Sequence, residues 1–140
     1  MPNIRQNADG SLGIEGSANG EGGFITAGIN YVAATVDCSF FVADRPYIVK
    51  AIRGRVDVAG TGGACTATIR KVPSGTALTS GTALHSGSYN LVGTAATAQT
   101  LTMSTTDGAL LMAAGDALCY DLTGTATSAV GNITVTLAPA

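Results

Sequence analysis

The sequence holds no tryptophan, a single histidine, three cysteines and few charges, with only 11% of its 140 residues Asp, Glu, Lys or Arg. With 7 Lys+Arg against 9 Asp+Glu it carries neither a basic field for nucleic acid nor an acidic tail, which argues against direct DNA or RNA binding. Cys38, Cys65 and Cys119 are odd in number and lack CxxC spacing. They indicate neither a disulfide framework nor a zinc ribbon, and read as small buried apolar residues. No apolar window is long enough to span a bilayer, and the start Met1-Pro2-Asn3-Ile4-Arg5-Gln6-Asn7 lacks the apolar run of a signal peptide. The expectation is a soluble chain without membrane contact that is not exported by the usual route.

What is present is glycine, alanine and threonine among short apolar runs. Residues 1 to about 23 contain Gly10, Gly13, Gly16, Gly20, Gly22 and Gly23 among polar neighbours, with isolated apolar side chains at Ile4, Leu12 and Ile14. Such a segment cannot build its own core. It reads as a flexible tail or as an extended arm, residues 1–23, that orders on a partner through Ile4, Arg5, Leu12 and Ile14. Neither GxGxxG nor GxxxxGK occurs, so the glycines carry no nucleotide-binding signature.

Residues 24–140 change to runs rich in Val and Thr, punctuated by Gly, Asp, Asn and Pro, with almost no helical period. From Tyr47 to Ala59, Ile48, Ile52, Val56 and Val58 form one apolar side and Arg53, Arg55 and Asp57 a wet one. The next run sends Cys65, Ala67 and Ile69 to one side, and Gly60-Thr61-Gly62-Gly63 predicts a hairpin between the two. Alternation recurs at Leu101 and Met103, at Leu118, Tyr120 and Leu122, and at Ile133, Val135 and Leu137, each bracketed by turn residues. Weaker runs at Phe24 to Thr26, Tyr31 to Val36, Cys38 to Val42 and Tyr89 to Val92 bring the count to about eight to ten strands. Leu110 to Ala114 reads as strand or turn. The predicted fold is all-β, an antiparallel sandwich or jelly-roll-like domain with a thin Ala/Val/Thr core that would gain from oligomerisation. The repeat Ser74-Gly75-Thr76-Ala77-Leu78 and Ser80-Gly81-Thr82-Ala83-Leu84 has too few copies to stack as a solenoid, and reads as an edge or connecting segment.

Catalytic chemistry has little to start from. His85 sits in a loop-like Leu84-His85-Ser86-Gly87 and reads as a surface residue; a triad with Ser80 or Ser86 and Asp116 lacks any local signature. Carboxylate pairs Asp116/Asp121 or Asp37/Asp44 lack the aromatic platforms of a sugar cleft, and Asp116 reads as a turn residue. Neither HExxH nor a spaced calcium loop occurs, so no metal and no cofactor is expected. Asn132-Ile133-Thr134 is formally a glycosylation sequon but reads as a strand start. Arg53 and Arg55, with Lys50, suit an acidic partner surface or simply a solvated face.

The order Lys71-Val72-Pro73-Ser74-Gly75-Thr76-Ala77-Leu78, Ser80-Gly81-Thr82, Thr100-Leu101-Thr102, Leu111-Met112-Ala113-Ala114-Gly115-Asp116-Ala117-Leu118 and Asn132-Ile133-Thr134-Val135-Thr136-Leu137 resembles the small all-β structural proteins of tailed bacteriophages, especially capsid decoration (cement) proteins. The resemblance covers residues 47–140. It implies a β-sandwich, often trimeric, that is assembled in the host cytoplasm, docks on the exterior of the virion head against the major capsid protein, and clamps neighbouring capsomers without enzymatic activity. Residues 1–46 fall outside it. The alternatives are a phage fibre or spike module and a lectin-like carbohydrate-binding module, for which only Tyr31, Tyr47, Tyr89, Tyr120 and three Phe residues are available.

Overall fold

The computed structural model describes residues 4–6, 12–14 and 23–140. The strands are β1 (Ile4–Gln6), β2 (Leu12–Ile14), β3 (Ile25–Val32), β4 (Cys38–Val42), β5 (Tyr47–Val58), β6 (Cys65–Val72), β7 (Thr82–Ala83), β8 (Tyr89–Asn90), β9 (Thr97–Thr100), β10 (Leu111–Met112), β11 (Ala117–Gly124) and β12 (Val130–Pro139). A single 3-10 turn at Leu78–Ser80 interrupts them among the described residues. Within the predicted arm, β1 and β2 pair antiparallel with Arg5 opposite Gly13, while residues 1–3, 7–11 and 15–22 lie outside the described residues.

Two antiparallel sheets of five strands face each other. The first runs β10-β5-β12-β3, with β9 also on β5; the second runs β4-β11-β6-β7, with β8 also on β6. In each sheet two short strands therefore share one outer position, β9 with β10 and β7 with β8. The chain passes from one sheet to the other at β3–β4, β4–β5, β5–β6, β8–β9, β10–β11 and β11–β12. This double-sheet crossing order is that of a jelly roll. It corrects the predicted hairpin: β5 and β6 lie in different sheets, and residues 59–64 carry the chain over the end of the sandwich. Gly60 packs there so closely that an added Cβ would stand 2.6 Å from Ala126 Cβ. The runs Phe24 to Thr26 and Tyr31 to Val36 meet in one strand, β3, which ends at Val32, and Ala33 to Val36 lie beyond it.

The alternation on β5 also departs from strict period two. Opposite β12, Ala51 pairs Thr136 and Val49 pairs Leu137, so Lys50 is extra; Val58 pairs Val130 and Val56 pairs Gly131, so Asp57 is extra. Each bulge inverts the facing side chains. Tyr47 and Val49 therefore point inward together with Ile52 and Val56, whereas Ile48 and Val58, read as core positions, turn outward. On β6 and β12 the expected sides hold: Cys65, Ala67 and Ile69, and Ile133, Val135 and Leu137, are all buried.

The core is not thin. Tyr31, Tyr89 and Tyr120 are its largest fully buried side chains, packed with Ile52, Ile69, Leu84, Leu118 and Leu137. Tyr31 meets Tyr89 edge-on at 5.8 Å between centroids and stacks on Tyr120 at 6.3 Å. Rings this bulky fit because glycines face them: a Cβ on Gly54 would sit 2.3 Å from the Tyr89 ring, and one on Gly131 would sit 2.4 Å from the Tyr31 hydroxyl. Threonine, expected to share the core, stays at its margins and outer faces.

Candidate functional site

The outer face of the first sheet gathers the sequence-predicted arginines. Arg53 and Arg55 stand two residues apart on β5, about 7 Å along the strand, and both are exposed. In register beside Arg53 lie Thr100 on β9 and Thr134 on β12; beside Arg55 lie Ala98 and Asn132, with Asn30 of β3 next across. Arg55 Nε holds Asp57 Oδ1 at 2.8 Å, and both side chains remain about half exposed, so this pair orients the guanidinium more than it stabilises the fold. Lys50, raised by its bulge, adds a further cation on the same strand.

Apolar rows close both ends of this polar centre. Val58, Val130 and Val32 lie opposite one another on β5, β12 and β3 and are 47%, 37% and 52% exposed. At the other end Leu111, Ile48 and Ala138 form the corresponding row on β10, β5 and β12. Phe24, which precedes β3 and is 63% exposed, continues that row. The face is broad and open. Guanidinium forks flanked by hydroxyls and framed by exposed aliphatic side chains suit carboxylates on a protein surface better than a small molecule, which needs concavity. Sequence reasoning found the arginines but missed the valine row, because the bulge at Asp57 that turns Val58 outward leaves no mark in composition.

The outer face of the second sheet is partly covered instead. Arg70 Nε donates to Asp121 Oδ2 at 2.5 Å and Arg70 Nη1 to the Gly81 carbonyl at 3.0 Å, fastening the segment after β6 across the strands. Between that segment and β4 and β11 lies a groove of about 390 Å³ lined by Ser39, Val72, Leu78 and Cys119 among others. Burial pushes the Cys119 thiol up, which keeps it protonated and unreactive. The three cysteines are all free thiols.

His85 is not a surface residue, in contrast to the sequence reading: it is 4% exposed. Its Nε2 accepts the Ile69 backbone N–H at 2.9 Å, which requires the neutral ring. Desolvation pushes its pKa down, partly offset by hydrogen bonding to the Ser86 and Gly87 backbone, and the Arg70 guanidinium adds the smallest effect, also downward. A hollow of about 400 Å³ lies beside it, lined mainly by Thr82, Ser86, Thr102 and Ser104 to Thr106. With Nε2 spent on a strand, the ring cannot serve there as a general base.

The carboxylates weighed as acid–base pairs each have a structural task. Asp116 accepts the Ala113 N–H at 2.9 Å within its turn, as expected. Asp121 holds Arg70, and Asp37 accepts the Leu122 N–H at 2.8 Å. Asp44 accepts from the Tyr47 hydroxyl at 2.6 Å and from Arg45, which together hold its carboxyl below the usual range. All four tyrosines are buried, so none offers a stacking platform. Among the described residues no group of three His, Cys, Asp or Glu side chains is placed to hold a metal ion. The side chains of Ile4, Arg5, Leu12 and Ile14 lie outside the described residues.

No protein-family model and no curated protein matches this sequence. Among solved structures the chain is similar to a chain of the cyanophage Pam1 capsid asymmetric unit, at 17% identity over 83% of each chain with a TM-score of 0.49. It is also similar to the Bacillus endospore appendages that form a family of disulfide-linked pili, at 16% identity over 82% of this chain and 84% of that one, TM-score 0.35. A third likeness is to infectious bursal disease virus, Gx strain, at 18% identity over 83% of this chain and 30% of that one, TM-score 0.32.

Proposed function

We propose that this chain is a structural protein of a phage particle that docks on the outside of the assembled head, against the major capsid protein, and clamps neighbouring capsomers. It acts without enzymatic chemistry, as a homo-oligomer whose number the resemblance puts at three. The observation that carries this reading is the open outer face of the first sheet, where Arg53 and Arg55 sit in a polar centre between two exposed apolar rows on a rigid jelly roll. Such a face matches a large, flat, partly acidic protein surface. The motif order over residues 47–140 adds the virion context. Residues 24–140 are the docking body and residues 1–23 the arm, with Ile4, Arg5, Leu12 and Ile14 as its anchors; several arms on one oligomer gain avidity from high local concentration.

For the lectin-like alternative the four tyrosines are buried and offer no platform, which leaves Phe24, 63% exposed, as its aromatic candidate. The test is co-sedimentation of the purified chain with undecorated heads. The full chain is expected to pellet with heads. Arg53→Glu/Arg55→Glu, and separately deletion of residues 1–22, are each expected to weaken binding at least about tenfold, roughly 1.4 kcal/mol. A full chain that stays in the supernatant at micromolar concentration overturns the reading; a head-binding chain insensitive to both changes overturns the assignment of these residues.

A further inference from the structure

The first sheet ends on β3, and among the described residues β3 has β12 as its only ladder partner. Edge strands are commonly blunted by charge, proline or a bulge. β3 has none of these: Ile-Thr-Ala-Gly-Ile-Asn-Tyr-Val is uncharged and proline-free, and its register with β12 is unbroken from Ile25 to Val32.

The direction of the free backbone groups can be read from the end of the strand. The Val32 N–H donates to Thr35 Oγ1 at 2.9 Å and the Val32 carbonyl accepts the Thr35 N–H at 2.9 Å, so both groups of Val32 point away from β12. Since neighbouring residues of a strand alternate, the N–H and C=O of Thr26, Gly28 and Asn30 point to the open edge as well. The side chains of Thr26 and Asn30, with those of Phe24 and Val32, lie on the exposed outer face.

We propose that this edge is a self-association surface, pairing antiparallel with β3 of a second copy about a two-fold axis at Gly28. In that register Thr26 faces Asn30 of the second copy, Gly28 faces Gly28, and about six backbone hydrogen bonds form. The same register brings Phe24 of one copy to the turn from Val32 to Thr35 of the other, twice. Shifting the register by two residues either way removes bonds or sets Phe24 opposite Asn30. The strand is therefore complementary to itself: polar to polar in its middle, and without like charges to repel. An isologous contact of this kind closes as a dimer. It is separate from any contact that closes a trimer and does not depend on the docking reading above.

The test is the solution mass of the full chain, by sedimentation equilibrium without heads, for wild type and two variants at exposed outer-face positions. Wild type is expected to form dimers, or an even-numbered assembly of them, at tens of micromolar. Thr26→Lys/Asn30→Lys sets like charges opposite one another and is expected to halve the mass, weakening association at least about tenfold with an unchanged circular dichroism spectrum. Thr26→Lys/Asn30→Glu sets opposite charges across the same contact and restores it. Amide exchange at Thr26, Gly28 and Asn30 is expected to be slow in the associated protein and fast in the lysine pair. A monomeric wild type, a trimer indifferent to the lysine pair, or a Lys/Glu pair no better than the Lys/Lys pair overturns the proposal.

Discussion

Acidification from pH 7.5 to pH 5 is expected to destabilise this protein through one side chain, His85. Folding takes the ring to 4% exposure and commits Nε2 as acceptor of the Ile69 N–H at 2.9 Å. Protonation would set two donors against each other inside the core while Arg70 stands nearby, and the folded pKa is accordingly pushed below the ordinary 6.5. The unfolded chain titrates near that ordinary value, so below it the unfolded state binds the proton that the native state refuses. Stability is then fully present above about pH 6.5 and falls on acidification by up to about 1.4 kcal/mol per pH unit until the folded ring itself titrates. Asp44, held low by Tyr47 and Arg45, loses its contribution only as the pH falls below 3.8, so it leaves this window flat. The assay is urea denaturation at pH 7.5, 6.5, 5.5 and 5.0, for wild type and for His85→Gln, whose side-chain carbonyl can accept the same N–H without titrating. Wild type should lose stability from pH 6.5 to pH 5, by no more than about 2 kcal/mol, and the glutamine variant well under half of what wild type loses. A wild-type stability flat over this range, or an equal slope in both proteins, would refute the buried acceptor.

Other substitutions test the packing more directly. Tyr120→Phe removes a buried hydroxyl that has no partner and should leave stability unchanged or raise it by about 1 kcal/mol; Tyr31→Phe strands the Tyr89 hydroxyl, 3.0 Å away, and should cost about 1–3 kcal/mol. Denaturant midpoints that fail to separate these two variants would contradict the tyrosine arrangement. Gly54→Ala forces a Cβ onto the Tyr89 ring and the Asn132 carbonyl and should cost about 3 kcal/mol or prevent folding, read as a lowered thermal midpoint or loss of soluble protein. Asp121→Ala leaves the mostly buried Arg70 without its carboxylate and frees the segment it fastens to Gly81; a loss of about 2–4 kcal/mol is expected, together with faster proteolysis within residues 73–81. Proteolysis at the wild-type rate would mean that the ion pair does not hold that segment.

The sequence by itself determined the class of fold. Period-two runs such as Cys65-Thr66-Ala67-Thr68-Ile69 and Ile133-Thr134-Val135-Thr136-Leu137, cut by Gly, Asn and Asp turns, leave only a half-buried antiparallel strand as a way to hide one side of each run. Asp116 was legible as a turn residue, Cys65 and Cys119 as small buried fillers, though not the half-buried Cys38, and Arg53 with Arg55 as a paired exposed feature, because these depend on a few neighbours in the chain. The partners across space were not legible. Gly60-Thr61-Gly62-Gly63 looks like a hairpin turn, and only the requirement that both sheets share one core sends β5 and β6 to opposite layers. Bulges at Lys50 and Asp57 arise from pairing with β12, and each reverses which side of β5 is wet; that is why Val58 faces solvent beside Val130 and Val32. His85 is flanked by residues that suit a loop, yet Leu84 N–H bonds Ile69 and Ser86 N–H bonds Thr102, drawing the ring between β6 and the segment after β9, which are distant in sequence. Burial is a property of what the rest of the chain packs above a residue, so the tyrosine core, the buried histidine and the open face of the first sheet were decided only when the two sheets closed on each other.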